Sequence, residues 1–287
     1  MAGIALPGAS QGQAFRCPIS FGTYGLPGFS VEDSIQLISK IGFDSIELTA
    51  MKGYHAAPDQ LSKASRAEIR QKIGDSSLVL GALMGFPTPN ASKQAENDAW
   101  VSEMLRLAKD LSPESPPMIQ SVLGGGTWDE KKNLFRDCLG PWVEMAGEAG
   151  VKLAIKPHRG HAMSRPEEAI WLIDQLNATG HLTIVYDHSH FVFRDLPIEK
   201  TVATALPHTS YLVMKDAIRV DDKVRFQLPG TAGTIPHTEI LRQFINGGYR
   251  GEICAEVSSQ VWKAQNYNPE NGAQICFDNL TRIATRV

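Results

Sequence analysis

The chain of 287 residues is short of several features, and each shortage closes off a class of function. Its four cysteines, Cys17, Cys138, Cys254 and Cys276, form no CxxC pair, which excludes a structural zinc site of that kind. No run of about 18 apolar residues occurs, so no membrane span is expected. Neither GxGxxG nor GxxxxGK[ST] is present, which removes the dinucleotide-loop and P-loop fingerprints. Surplus positive charge is missing too: the net charge is -3, and a nucleic-acid surface is normally basic. No internal repeat or low-complexity tract interrupts the sequence. The first fourteen residues, MAGIALPGASQGQA, carry no charge and no sustained apolar stretch, unlike a signal peptide. Residues 1–15 therefore read as a flexible leader, and a cytoplasmic location is the expectation.

What is present is an ordinary soluble composition, 43% hydrophobic and 21% charged, long enough to bury a core without staples. Short apolar runs alternate with amphipathic stretches. Candidate strands lie at 16–21, 45–48, 79–84, 118–123, 152–156, 182–187, 211–215 and 252–257. Most are continuously apolar, as parallel strands covered on both faces are. Candidate helices lie at 31–41, 59–73, 95–111, 129–149, 165–176, 198–205, 238–245 and 271–284. Ser30 is a predicted N-cap, and Gly42, Gly150 and the pair Gly247–Gly248 are predicted C-caps. Strand and helix alternating without a linker predict a single (β/α)8 barrel over 16–287. An open doubly wound sheet is the rival, and it would often carry a Gly-rich fingerprint after its first strand.

In such a barrel the chemistry sits at the C-terminal ends of the strands. Three runs end in polar knots: LAIKPH, IVYDHSH and ICAEVSS. They bring Lys156, His158, Asp187, His190 and Glu256 to one edge, a charge set costly to bury without partners. Lys215 lies two residues after Val213 and so shares its face. Glu47 ends the second strand, where it either anchors a loop or binds a substrate hydroxyl. Arg159 and His161 either meet an acidic substrate group or solvate their loop. Trp128 and Trp262 fall in predicted mouth loops, where they either stack on a sugar face or cover a core edge. Lys156 with Glu256 also admits a plain structural ion pair.

The same segments resemble the xylose-isomerase-like TIM-barrel superfamily. The resemblance rests on SVEDSIQLISKIGFDSIELT, KLAIKPHRG, IVYDHSH, YLVMKDA and the closing stretch LPGTAGTIPHTEILRQFINGGYRGEICAEV, five pieces in order along nearly the whole chain. It implies an isomerase or epimerase of a small sugar, keto-sugar or cyclitol, acting by proton abstraction next to a carbonyl. A lyase or dehydratase on a related substrate, and a barrel that only binds a sugar, are the alternatives. Homo-oligomerisation is compatible with it, and a nucleic-acid or membrane partner is not expected. In metal-dependent members a Glu, an Asp, a His and a Glu hold a divalent cation. Here Lys156 stands at the first position and Val213 at the third. Two expectations follow. Either Asp187, Glu256 and His190 still hold Mn, Mg, Zn or Co, or the site is metal-free with the Lys156 ammonium in the cation's place. The implied roles are Glu256 as base, His158 or His190 as proton carrier, and Glu47, Lys215, Arg159, Trp128 and Trp262 as substrate contacts.

Overall fold

The computed structural model describes residues 15–287, so the leader expected over 1–15 lies outside the described residues apart from Phe15. Eight parallel strands close into a barrel: β1 (Ile19–Gly22), β2 (Ser45–Thr49), β3 (Val79–Met84), β4 (Met118–Ser121), β5 (Leu153–Ile155), β6 (Leu182–Tyr186), β7 (Thr209–Met214) and, after a hairpin, β10 (Ile253–Ala255). β10 pairs with β7 on one side and with β1 on the other, which closes the ring. The outer layer comprises α1 (Val31–Ile41), α2 (Lys63–Asp75), α3 (Gln94–Leu111), α4 (Trp128–Ala149), α5 (Pro166–Gln175), α6 (Ile198–Ala205), α7 (His237–Asn246), the short α8 (Ser259–Trp262) and α9 (Pro269–Ala284). The expected (β/α)8 barrel is therefore the fold. Among the described residues no helix is long and apolar enough to cross a membrane.

Local sequence explains the element ends. Ser30 Oγ accepts the Asp33 amide at 3.0 Å and starts α1. Gly42, at φ 106°, ends that helix in the left-handed conformation that glycine adopts without strain. Between these caps Val31, Ile35 and Ile38 fall on one buried face, the helical spacing of an outer-layer helix. Gly150 caps α4 in the same way at φ 69°. At α7 the expectation needs adjusting: Gly247 has φ -81° and the left-handed residue is Gly248, at φ 96°.

The core has two compartments. The larger lies between the barrel and its helices, where Ile38, Ile46, Leu83, Leu139, Trp142, Ile184 and Leu241 are fully buried. Each such side chain contributes roughly 1.5–3 kcal/mol relative to exposure. The smaller fills the barrel: Ala82, Ala154, Val185, Tyr211, Val213 and Cys254. Side chains alternate along a strand, so the residue two positions after an inner one also points inward. That rule carries Ala154 to Lys156, Val185 to Asp187, Val213 to Lys215 and Cys254 to Glu256. The apolar plug of the barrel thus becomes a charged layer at its mouth.

One element was not foreseen. After β7 the chain forms an antiparallel hairpin, β8 (Asp216–Val220) with β9 (Lys223–Gln227), turning at Asp221 and Asp222, whose φ values are 47° and 56°. Two positive φ angles in a two-residue connection match the twist of a hairpin. Asp216 fixes its base by accepting from His237 Nε2 at 2.7 Å and from the Ala232 amide at 2.7 Å.

Candidate active site

Four charged side chains meet at the mouth and neutralise one another. Lys215 Nζ donates to Asp187 Oδ2 at 2.6 Å and to Glu256 Oε1 at 2.5 Å. Lys156 Nζ donates to Glu256 Oε2 and lies 4.0 Å from Asp187 Oδ2. The remaining oxygen, Asp187 Oδ1, accepts from Ser189 Oγ at 2.6 Å and from the Ser189 amide at 3.1 Å. Asp187 is 0% exposed, Lys215 1%, Lys156 3% and Glu256 9%, so Glu256 is the most open of the four.

Burial opposes charge on Lys156, Asp187 and Glu256, and the pairing outweighs it. Lys156 is held above its ordinary range because Glu256 and Asp187 overcome its desolvation. Asp187 is held well below its ordinary range, burial being outweighed chiefly by Lys215. Glu256 is pulled from 4.5 to about 2, against burial, by Lys156 and then Lys215. Lys156, Asp187 and Glu256 are therefore ionised at neutral pH.

Three imidazoles cluster beside it, their planes tilted by 42° and 45°. The His158 ring lies 3.8 Å from His190 and 4.3 Å from His161, centroid to centroid. His190 Nε2 is 3.3 Å from both Asp187 Oδ2 and Lys215 Nζ. Burial, and then Lys215, depress His190 to about 4, while burial and then His190 depress His158 to about 2. Both are neutral above pH 5. The Nδ1 atoms of His158, His161 and His190 are all buried with no hydrogen-bond partner. Buried polar groups are rarely left unpaired, and each such atom costs about 1–3 kcal/mol. Three such atoms lie close together at this end of the barrel.

Glu47 stands on the opposite wall. Its Oε2 accepts from Gln120 Nε2 at 3.0 Å, and its Oε1 is buried without a partner. Burial raises it from 4.5 to about 7, partly countered by Lys156 and reinforced by Glu256. Room for it depends on Gly22, because a Cβ there would lie 2.9 Å from Glu47 Oε1.

The hairpin forms the roof. The Phe226 ring sits 5.0 Å from Lys215 Nζ and 5.2 Å from the His190 ring. The Phe226 amide donates to Gln260 Oε1 at 3.0 Å, which ties the roof to α8. Two cavities lie mainly among the loops that follow β1, β2, β3 and β4. One of about 230 Å³ is lined by Tyr24, Tyr54, His55 and Trp262, and one of about 670 Å³ lies among Met51, Phe86, Pro87 and Trp100. Neither is lined by the quartet.

The structure thus gathers Lys156, His158, Asp187, His190, Lys215 and Glu256, and sets Glu47 near them. Arg159 lies at the rim, its Nη2 donating to the Val192 carbonyl. Trp262 is on α8 in edge contact with Tyr24, ring centroids 5.5 Å apart. Trp128 is not in a loop: it opens α4 and packs edge-on against Trp171 at 5.5 Å, between two outer helices. One participant, Phe226, escaped the sequence reading, whereas Gln120 is a strand-end residue of the run predicted at 118–123. Gln120 follows the inner face of β4 by alternation from Met118. Phe226 belongs to DAIRV-DD-KVRFQ, whose alternation around a two-residue turn is a hairpin signal.

A divalent cation does not fit this arrangement. Each oxygen of Asp187 and Glu256 already accepts a hydrogen bond, and two ammonium groups bridge them. A doubly charged ion about 4 Å from one ammonium would be repelled by about 8 kcal/mol at an effective dielectric of 20. Among the described residues no group of three or more His, Cys, Asp or Glu has the geometry of a metal site.

Comparison with known proteins agrees with the architecture. Residues 35–279 match the family described as xylose isomerase-like TIM barrel. No curated protein matches the chain in sequence. Among solved structures, the IolI protein with a bound zinc atom is 18% identical with a TM-score of 0.76, covering 94% of this chain and 98% of its own. D-psicose 3-epimerase from Clostridium cellulolyticum H10, solved with D-tagatose, is 14% identical with a TM-score of 0.76, covering 93% and 99%. The apo 3-keto-D-glucoside 4-epimerase from E. coli is 14% identical with a TM-score of 0.72, covering 94% and 100%.

Proposed function

Because the chain belongs to the xylose isomerase-like TIM barrel family, we propose that it is an isomerase or epimerase of a small keto-sugar or cyclitol whose site uses lysine in place of a metal. The observation that carries this reading is the Lys156–Glu256–Lys215–Asp187 network at the C-terminal ends of β5, β6, β7 and β10. The activities of two structural neighbours, both sugar epimerases, support it.

In this reading the substrate carbonyl oxygen takes a hydrogen bond from Lys156. A carboxylate removes the proton on the adjacent carbon, the C–H electron pair becomes a C=C bond, and the carbonyl oxygen takes the negative charge. The Lys156 ammonium, turned to the substrate, and the Lys215 ammonium beside it stabilise that oxyanion. Return of a proton to the opposite face gives the epimer, and to the former carbonyl carbon the isomer. Glu256 becomes the base as Lys156 turns to the substrate, because loss of its nearest cation raises its basicity. His190 and His158, neutral and in ring contact, carry the second proton. Glu47 competes for the role of base: it has a free oxygen and an affinity for protons near neutrality, where a general base works best.

The test is solvent deuterium incorporation into a panel of ketoses, followed by NMR. Exchange next to the carbonyl is expected for at least one ketose, and absence of exchange across the panel rejects the reading. The pH profile separates the two carboxylates. With Glu47 as base, kcat/KM rises with pH around about 7 and the Glu47→Gln variant loses that step. With Glu256 as base, the profile is flat from pH 5 to 9.

A further inference from the structure

The cavity of about 670 Å³ takes no part in the proposed reaction. It lies where the segments that follow β2, β3 and β4 meet α3, and its size is that of a site for a small organic molecule, about 300–1,000 Å³. Its apolar lining is held in place. Phe86 is 3% exposed and packs edge-on against Trp142, ring centroids 6.0 Å apart. Gly85, at φ 127°, lets Met51 close in, since a Cβ there would lie 2.8 Å from the Met51 backbone. From α3, Glu96, Ala99, Trp100 and Glu103 reach the cavity together, because residues three and four apart share a helix face. The Trp100 ring is only half-buried, and the Lys52 ammonium lies 5.8 Å from its centroid.

Two polar features select among ligands. The first is a fixed acceptor. Asn97 lines the cavity and is 7% exposed; its Nδ2 donates to the Thr88 carbonyl at 3.1 Å, and among the described residues its Oδ1 accepts no hydrogen bond. An amide oriented through its nitrogen and free at its oxygen is complementary to an O–H or N–H donor. The second is an acidic rim. Lys52 is the one lysine among lining residues that include Asp59, Glu96 and Glu103. Lys52 pairs with Glu96 at 3.5 Å, and Arg106, from outside the lining, pairs with Glu103 at 2.6 Å. Asp59 forms no salt bridge among the described residues, so the rim keeps a net negative charge that repels an anion.

We propose that this cavity binds a small aromatic molecule that carries an O–H or N–H donor and no negative charge. The ring lies among Met51, Phe86, Pro87 and Trp100, and the donor bonds to Asn97 Oδ1. The site is separate from the Lys156–Asp187–Lys215–Glu256 network, none of whose members lines it, and it does not depend on the isomerase reading.

Isothermal titration with tyramine, 4-ethylphenol, 4-ethylanisole and 4-hydroxyphenylacetate tests the assignment, because the four share a para-substituted ring and differ in charge and donor. Tyramine and 4-ethylphenol are expected to bind as one molecule per chain. Both should bind about tenfold more tightly than 4-hydroxyphenylacetate, which the acidic rim repels. 4-Ethylphenol should bind about fivefold more tightly than 4-ethylanisole, which lacks the donor. Ala99→Trp sets an indole at the cavity from an exposed helix position and should abolish binding of both while the circular dichroism stays unchanged. Trp100→Leu removes the aromatic contact and should weaken both about tenfold. Failure of tyramine and 4-ethylphenol to bind, equal affinity for the acid or for the ether, or binding that survives undiminished in the folded variants overturns the proposal. The comparison of the four compounds within the unmodified protein stands even where a variant fails to fold.

Discussion

Replacing Lys215 with methionine removes one of two cations from a network that water barely reaches. The side chain is 1% exposed and donates to Asp187 and Glu256 at 2.6 and 2.5 Å. Breaking a buried ion pair by deleting one partner costs about 3–5 kcal/mol, because the other charge stays buried without compensation. The lower end applies here. Glu256 keeps Lys156, so the group left exposed to the penalty is Asp187, whose next ammonium is 4.0 Å away. His190 relieves part of it: Lys215 depresses its affinity for protons and Asp187 Oδ2 lies 3.3 Å from it, so it binds a proton more readily in the variant. The expected loss is about 3 kcal/mol at pH 7, a sizeable share of the roughly 5–15 kcal/mol of a typical domain. Urea denaturation followed by circular dichroism measures it. The acid limb supplies a second readout. Asp187 and Glu256 have folded-state pKa values below their unfolded ones, so their contribution is present above about pH 4.5 and fades as the pH falls towards 2. Without Lys215 part of that contribution is already gone, so the variant should lose less stability between pH 5 and pH 2 than the parent. A loss below about 1 kcal/mol at pH 7, or parallel acid limbs, would refute the reasoning.

Two further outcomes follow from the same mouth. Lys156→Glu exchanges an ammonium for a carboxylate beside Asp187 and Glu256, so MnCl2 should raise the melting temperature of that variant and leave the parent unmoved; equal shifts in both would count against the placement of Lys156 between the acids. Glu47 is raised from 4.5 to about 7, so its buried charge costs about 3 kcal/mol above pH 7 and nothing below pH 4.5. Glu47→Gln should accordingly be the more stable protein at pH 8 and lose that advantage at pH 4.5, and calorimetry that finds the same difference at both pH values contradicts it.

Much of the barrel could be read from its residues because its strands are covered on both faces. A run such as LTIVY leaves few alternatives to a buried parallel strand, and Ser30 or Gly42 punctuates a helix through contacts with its own neighbours. The charged layer was legible for a similar reason, since alternation from Val213 puts Lys215 inside. Pairing within the layer was not. Nothing local says that Lys215, rather than His190, takes Asp187 as its close partner, because that choice depends on three strand ends converging. Phe226 was missed because an exposed, charged hairpin lacks the continuous apolar run that marks a barrel strand: in β9 only Phe226 is buried. Trp128 was misplaced because its loop ends one residue earlier than expected, and a single position separates a mouth aromatic from one wedged against Trp171.

The cations of this mouth are tethered to the backbone, and that changes what the site depends on. A bound divalent ion obeys mass action, and a carboxylate–imidazole site yields to whichever ion ranks higher in affinity, copper and zinc ahead of manganese. Ammonium groups on Lys156 and Lys215 are present in fixed stoichiometry at any dilution. Chelators cannot strip them, and every oxygen of Asp187 and Glu256 already accepts a hydrogen bond. The charge balance of the mouth is therefore independent of metal supply. Its vulnerability moves to the lysines themselves: an aldehyde or acylating agent that reached beneath Phe226 would erase in one covalent event what no change of ionic medium can remove.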